Sequence, residues 1–348
     1  DGIAKATGTA QYTQDVLQTE KAYAGVVGCP HAHAKVKSVD LTAAQALKGV
    51  LATRSYAGST LTYPGASAAA VCAVSPEVLE DALALVRVTY EVLPHVVTVE
   101  DALEDKVIVS GRSNDSLKGA RPARPGRRQR GQMRRGDPEA ALKDAEVVVE
   151  AEYRTQIQTH SALEPHGSVA RLEKGGGATV WASTQGTSGF ANGTLAQRLG
   201  VKRGDIRVIT EHMGGGFGAK FGAGPWDLLC GEFANEIKRP VSYLLTRRLE
   251  HLVGGNRPDS IQKMKLGGTK DGTFQVLAGE TWGTSGNGKG GANCANFSAY
   301  RWPNVLMRQH GVSTHTARGR AFRAPGHPQG FFALESLIDR YAAQIGKD

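Results

Sequence analysis

The chain has 348 residues and a formal charge of +9, from 42 Lys and Arg against 33 Asp and Glu. At 40% hydrophobic and 22% charged it has a globular composition, which excludes a disordered or fibrous chain, and no apolar run approaches the ~20 residues needed to span a bilayer. Glycine is the outlier: 44 residues, where an average usage of ~7% would supply about 24, and so much unhindered backbone suits a site that holds a bulky ligand.

In chain order, the first hundred residues read as an α+β unit. Alternating stretches at 21–28 and 34–41 predict strands. Thr42 is the expected cap of a short helix over 43–47 that stops at Gly49. A run of small apolar residues at 69–74 predicts a buried strand. Ser75 then caps a helix in which Val78, Leu79, Ala82, Leu85 and Val86 recur at helical spacing. A strand at 88–93 ends at Pro94.

No acid lies between Asp115 and Asp137. Lys118, Arg121, Arg124, Arg127, Arg128, Arg130, Arg134 and Arg135 all fall there, leaving the rest of the chain near neutrality. A nucleic-acid-binding face spreads its basic residues and interleaves them with aromatics. A single run broken by Pro and Gly reads instead as an exposed linker that docks on an acidic partner surface, and no nucleic acid is expected.

Beyond it, Asp137 as N-cap and Pro138 at the first helical position predict a helix, and 146–155 a strand. Strand signals at 180–183, 206–210 and 241–246 then alternate with helices at 190–199, closed by Gly200, and 225–237. A last helix over 329–345 carries Phe331, Leu334, Ile338, Tyr341 and Ile345 on one stripe and ends at Gly346. The expected class is α+β or mixed α/β. Cys29, Cys72, Cys230 and Cys294 form no Cys-x-x-Cys pair, which argues against a zinc ribbon or iron–sulfur cluster on this chain. The sequence lacks both an initial Met and a signal-peptide pattern, as a processed or partial chain would, and compartment cannot be read from it.

The richest segment is Met213-Gly-Gly-Gly-Phe-Gly-Ala-Lys-Phe-Gly-Ala-Gly-Pro, where a triple glycine after a strand leaves N–H groups free to converge on an anion or cofactor oxygen. It is not a P-loop, because Lys220 is followed by Phe221 rather than Ser or Thr. A dinucleotide fingerprint would lead directly into a helix, and here the helix signal comes late, near Pro225. Arg320 and Arg323 lie in a Gly/Pro-pinned loop before a helix N-terminus, and Thr184 and Gln185 lie where a strand runs out. His160, Glu164 and His166 tempt a metal reading, but Pro165 breaks the helix such a set would need, so a hydrogen-bonding turn is expected. No Gly-x-Ser-x-Gly supports a hydrolase.

Taken in order, these segments resemble the large subunit of the molybdenum hydroxylases, the xanthine oxidase/aldehyde oxidoreductase family, over nearly the whole chain. Asp1-Gly-Ile-Ala-Lys-Ala-Thr-Gly-Thr-Ala-Gln-Tyr-Thr-Gln-Asp resembles the start of that family's hammerhead domain, and Tyr90-Glu-Val-Leu-Pro its end. Thr159-His-Ser-Ala-Leu-Glu-Pro-His, Ala182-Ser-Thr-Gln-Gly, Gly214-Gly-Gly-Phe-Gly and Ala321-Phe-Arg-Ala-Pro-Gly resemble successive motifs of its first molybdopterin-binding domain. Gly255-Asn-Arg-Pro-Asp-Ser and Gly218-Ala-Lys-Phe-Gly are most similar to the bacterial aldehyde dehydrogenase branch. The implied organisation is a hammerhead-like domain over 1–110, a basic linker over 111–136 and the first cofactor domain over 137–348, with the second cofactor domain absent from this chain.

The resemblance implies a molybdopterin-type molybdenum cofactor, in its plain or cytosine dinucleotide form, shared with a partner chain. Carried over by position, Gln185 and Gly186 lie beside the molybdenum centre, Gly215, Gly216, Phe217 and Gly218 approach its oxo ligand and the pterin, and Phe322, Arg323 and Ala324 reach the same sphere. No side chain here is expected to ligate the metal. The implied reaction is oxidative hydroxylation with water as the oxygen source. Its base is a glutamate in a Gly-x-Gly-Glu-type motif of the second domain. No such motif occurs in these residues, so no catalytic residue is expected in the chain and the chain alone is expected to be inactive.

Phe221 stands where purine-oxidising relatives place a glutamate, which weakens a xanthine reading, and the branch resemblance alone implies an aldehyde, oxidised to its carboxylic acid, as the substrate. An N-heterocycle (xanthine-like) hydroxylase and a non-catalytic assembly subunit that retains the fold are the alternatives. Expected partners are a chain carrying the second molybdopterin-binding domain, a [2Fe-2S] subunit and an FAD or cytochrome subunit. The bacterial cytoplasm and periplasm both stay open.

Overall fold

The computed structural model describes residues 1–104, 107–111, 114, 132–288, 294 and 296–348. Most of the basic stretch expected as a linker, 115–131, lies outside the described residues. The chain divides into two compact units, each assembled from two stretches: Asp1–Pro94 with Thr159–Gly255, and His95–Gln158 with Asn256–Asp348. The expected domains are consecutive in sequence; the compact units cross that order.

The first unit is organised by a seven-stranded sheet in the order Ile206–Ile209, Ala178–Ala182, Gly167–Leu172, Val241–Leu244, Ala22–Gly28, Ser67–Ala73, Val50–Ser55. Ala22–Gly28 pairs in parallel with Val241–Leu244 and antiparallel with Ser67–Ala73, so strands from both sides of the basic stretch share one sheet. Ser67–Ala73 shows why its residues are small and apolar. Successive side chains point to opposite faces, and both faces are covered. Ala70 and Cys72 enter one core, with Leu229, Cys230 and Phe233 of helix Pro225–Ile237, while Ala69 and Val71 enter another, with Ala82, Leu79 and Leu83 of helix Pro76–Leu85. A separate three-stranded sheet, Thr60–Leu61, Ala34–Asp40, Arg87–Val92, completes the unit.

The second unit is a five-stranded sheet in the order Gln132–Arg135, Asn304–Ser313, Phe274–Gly286, Ser260–Gly268, Val147–Thr155. Only the Phe274–Gly286 and Asn304–Ser313 pair is parallel. Helix His327–Gln344 lays Ala333, Leu334, Leu337 and Tyr341 on this sheet against Met264, Leu266, Leu277 and Met307. Burial of each such large side chain stabilises by about 1.5–3 kcal/mol.

Local signals for element ends hold where a side chain can act alone. Ser75 accepts from Val78 N at 3.3 Å, Asp137 from Ala140 N at 3.2 Å, and Gly200 closes its helix at φ +70. Three expectations need correction. Thr42 is not a cap: it is the first residue of helix Thr42–Ala46, Leu41 holds the cap position, and Asp40 Oδ1 accepts from Thr42 N at 2.9 Å in a turn two residues long. The helix expected over 190–199 is two, Thr187–Phe190 and Gly193–Leu199, because Asn192 accepts from Leu195 N and restarts the chain. The last helix begins at His327, two residues early, after Gly326 turns the backbone at φ +83.

The long strands Ser260–Gly268, Phe274–Gly286 and Asn304–Ser313 were not legible, since they mix buried polar residues and glycine into the apolar pattern. Gln262, fully buried, is satisfied there by Gln329 O, Ser260 Oγ and Asn296 Nδ2. Among the described residues no helix is long and apolar enough to cross a membrane.

Candidate functional site: a glycine crest and its second segment

In the first unit, strand Ala178–Ala182 runs out into Ser183, Thr184 and Gln185, and each of the three grips the glycine-rich loop or its support. Gln185 N and Thr184 Oγ1 both donate to Lys220 O, at 2.7 and 2.9 Å. Gln185 Oε1 accepts from Gly218 N at 2.7 Å and from Lys220 N at 3.3 Å. Two backbone donors therefore fix the amide's orientation, and its Nε2 is left outward without a protein partner among the described residues.

The loop itself could be built from little else than glycine. A Cβ on Gly216 would lie 2.6 Å from Gln185 Oε1 and Cδ, and one on Gly214 would lie 2.5 Å from Glu164 Cβ. Gly215 and Gly218 take φ +101 and +108, and Phe217, between them, is held at +51 with its ring half exposed. The N–H groups of Gly215 and Gly216 have no acceptor among the described residues. Gly186 is different: a Cβ there meets nothing closer than 3.7 Å, and its N–H goes to Thr184 Oγ1.

Beneath the crest lies a buried charged cluster that sequence reasoning did not assemble. Glu164 accepts from Gly214 N and Ser183 Oγ at 2.8 Å each and from Thr13 N at 3.0 Å. Lys220, only 1% exposed, donates to Glu164 O at 2.6 Å, Ser183 Oγ at 2.7 Å and Pro165 O at 3.4 Å. Burial pushes the Lys220 ammonium below its usual range, against the opposing pull of Glu164 and Glu250. His166 faces Glu250 through Nδ1 at 2.9 Å and Ala219 O through Nε2 at 3.3 Å. Glu164 and His166 thus serve separate hydrogen-bonding networks, and among the described residues no group of three or more His, Cys, Asp or Glu is placed to hold a metal ion. The thiols of Cys72, Cys230 and Cys294 are buried and pushed up to about 12, so they pack as small apolar groups.

The Phe322, Arg323 and Ala324 segment belongs to the second unit. Arg257, 5% exposed, organises it: Nη2 donates to Arg323 O at 2.9 Å, Nη1 to Gln329 Oε1 at 3.2 Å, and the guanidinium lies 4.7 Å from the Phe322 ring centroid. Ala324 takes φ +55, and the N–H groups of Arg323 and Ala324 have no acceptor among the described residues. The sequence signal for Arg257 was present in Asn-Arg-Pro but carried no physical reading by itself.

In the first unit the N–H groups of Gly215 and Gly216 and the Gln185 amide lack an acceptor among the described residues, and in the second unit those of Arg323 and Ala324 do. The donors of the glycine crest by themselves suit an anionic, oxygen-rich group met by backbone rather than by side-chain ligands.

The comparisons identify the class of cofactor. The family profile described as the molybdopterin cofactor-binding domain matches residues 121–348, and that of the aldehyde oxidase and xanthine dehydrogenase a/b hammerhead domain matches 7–62. The chain belongs to the molybdopterin cofactor-binding domain family, with the hammerhead region that accompanies it in the molybdenum hydroxylases. It is 28% identical over 377 residues to the nicotinate dehydrogenase large molybdopterin subunit of Eubacterium barkeri, covering 100% of this chain and 85% of that one. It is 29% identical over 381 residues to the aldehyde oxidoreductase molybdenum-binding subunit of Escherichia coli, covering 100% and 48%. Quinoline 2-oxidoreductase from Pseudomonas putida 86 shares the fold, with a TM-score of 0.86, 24% identity, and coverage of 100% and 48%. The chain therefore spans about half the length of several of the proteins it matches.

Proposed function

We propose that this chain forms the first part of the molybdopterin-holding subunit of a multi-subunit molybdenum hydroxylase that oxidises an aldehyde to its carboxylic acid. The carrying observation is the orientation of Gln185. With Oε1 taken by Gly218 and Lys220, the only face it offers a ligand is Nε2–H. Gln185 would donate to an oxygen on the metal and Gly215 and Gly216 would donate from the crest; Arg323 and Ala324, which the family resemblance also assigns to the cofactor, carry unspent N–H groups of the same kind. Phe217 and Gly218 would lie against the pterin. Fixed donors of this kind cost no reorganisation when charge develops nearby. When bound, the molybdenum cofactor supplies two-electron oxidation with water as the oxygen source.

Phe221, 58% exposed on the residue after Lys220, gives the approach an apolar wall, which favours an aldehyde over a purine. The name of one relative, the nicotinate dehydrogenase subunit, supports the alternative of an N-heterocycle substrate. The cofactor would be shared with a second molybdopterin-binding domain outside these residues, which would supply the glutamate base. Electrons would leave to a [2Fe-2S] partner and then to an FAD or cytochrome subunit.

The test is to purify the assembled enzyme, measure molybdenum and pterin nucleotide on one sample, and compare turnover of an aromatic aldehyde with that of nicotinate and xanthine. Stoichiometric molybdenum with aldehyde turnover is expected. Preferential oxidation of nicotinate would move the assignment to the heterocycle class, and a metal-free assembly would leave a non-catalytic subunit.

A further inference from the structure

We propose that Lys220, Ser183 and Glu164 form a buried brace beneath the glycine crest, with Lys220 the positioning residue that aims the crest's free N–H groups and the Gln185 amide. The inference rests on the reading of the crest as the cofactor's seat, but the brace itself is a property of this unit alone. One end of the loop is tied by Gly214, whose N–H donates to Glu164 Oε2 and whose carbonyl accepts from Glu164 N. The other end is tied by Lys220, whose N–H goes to Gln185 and whose carbonyl accepts from Gln185 and Thr184.

The two ends are joined beneath by a continuous path: Lys220 Nζ donates to Ser183 Oγ, and Ser183 Oγ–H donates to the same Glu164 Oε2 that holds Gly214. The remaining ammonium protons meet Glu164 O and Pro165 O, so each of the three has an acceptor. All these bonds fall at the loop's ends, so the middle is held at fixed height while Gly215 and Gly216 keep their N–H groups unspent. A charged lysine with almost no solvent contact is costly to bury unless every proton is used. Here every proton has an acceptor, and the one given to Ser183 Oγ closes the path to Glu164 and Gly214.

The test uses the assembled enzyme with Lys220→Met, Lys220→Arg and Ser183→Ala. Removing the ammonium strands three buried acceptors, so the amides over 214–220 should exchange hydrogen about tenfold faster or more in Lys220→Met, while those of strands Ser260–Gly268 and Phe274–Gly286 stay at wild-type rates. The electron paramagnetic resonance spectrum of the reduced molybdenum centre should broaden in the same variant. Lys220→Arg keeps the charge and donors and should restore both readouts most of the way.

Wild-type exchange of the loop in Lys220→Met, or an arginine variant no better than the methionine one, overturns the proposal. Should Lys220→Met fail to assemble, Ser183→Ala decides by the same exchange measurement: faster exchange at Gly214 supports the path through the hydroxyl, and an unchanged rate refutes it. Absence of molybdenum from the wild-type assembly would defeat the functional reading while leaving the exchange result to judge the brace.

Discussion

Gly216→Ala isolates what the crest requires of its backbone. Gly216 has no left-handed φ, so an alanine meets no conformational penalty there, and the whole effect is steric. Its Cβ would fall 2.6 Å from Gln185 Oε1 and Cδ and 2.7 Å from Cγ, a full ångström or so inside van der Waals contact. Because Gln185 is exposed, the side chain can swing away, so the penalty is the loss of its two accepted bonds, from Gly218 N and Lys220 N. At roughly 0.5–1.5 kcal/mol net per bond the expected cost is about 1–3 kcal/mol. For a unit of this size that lowers Tm by roughly 2–4 °C per kcal/mol.

The informative assay is a double-mutant cycle read by Tm and by molybdenum content of the purified assembly. Gly216→Ala and Gln185→Ala should each lower both. The double variant should be no worse than Gln185→Ala alone, because the clash vanishes with the side chain it strikes. Strictly additive losses, or a Gly216→Ala variant with wild-type metal content, would refute the steric link between Gly216 and Gln185.

Phe221→Ala should leave stability within about 0.5 kcal/mol, since the ring is largely exposed, and should raise KM for an aromatic aldehyde roughly three- to tenfold at little change in kcat, through lost uniform binding; a fallen kcat with unchanged KM would contradict the wall assigned to it. Leu334→Ala removes a fully buried side chain from the second unit's core and should cost about 2–5 kcal/mol in denaturant unfolding, with a cost under 1 kcal/mol counting against the packing described.

Glu250 yields a pH prediction. Burial pushes its carboxyl up, but the hydrogen bonds and charge of His166, with Lys220 nearby, outweigh this and hold it below the usual carboxylate range. Its stabilisation is therefore fully present above the unfolded value of about 4.3 and is lost as pH falls through the lower folded value. Glu250→Gln should flatten that acid limb of a stability–pH curve, and an unaltered limb would show that the pair does not carry it.

Single residues that act on their own neighbours could be read directly from the sequence. Ser75 and Asp137 cap their helices, Gly200 ends one, and Pro225 opens another, because each effect is settled within one turn of chain. The crest was legible in part: a glycine triplet that leads late into a helix leaves donors without acceptors, and the strand end at Gln185 is a usual place for ligand contacts, but the bonds that join the two come only from the tertiary structure. Thr42 misled because Leu41 takes the cap position while Asp40 engages Thr42 N in a turn, and the 190–199 helix misled because Asn192 caps a second helix inside it. The tertiary structure alone decided that Glu164, Ser183 and Lys220 close one ring, since three ordinary polar residues spread over more than fifty positions have no local signature. It also decided that strands from either side of the basic stretch join one sheet, and that a buried Gln262 is at home in a core strand. Such outcomes depend on which partners the fold brings within hydrogen-bonding distance, and a buried polar group is stable only when those partners are present.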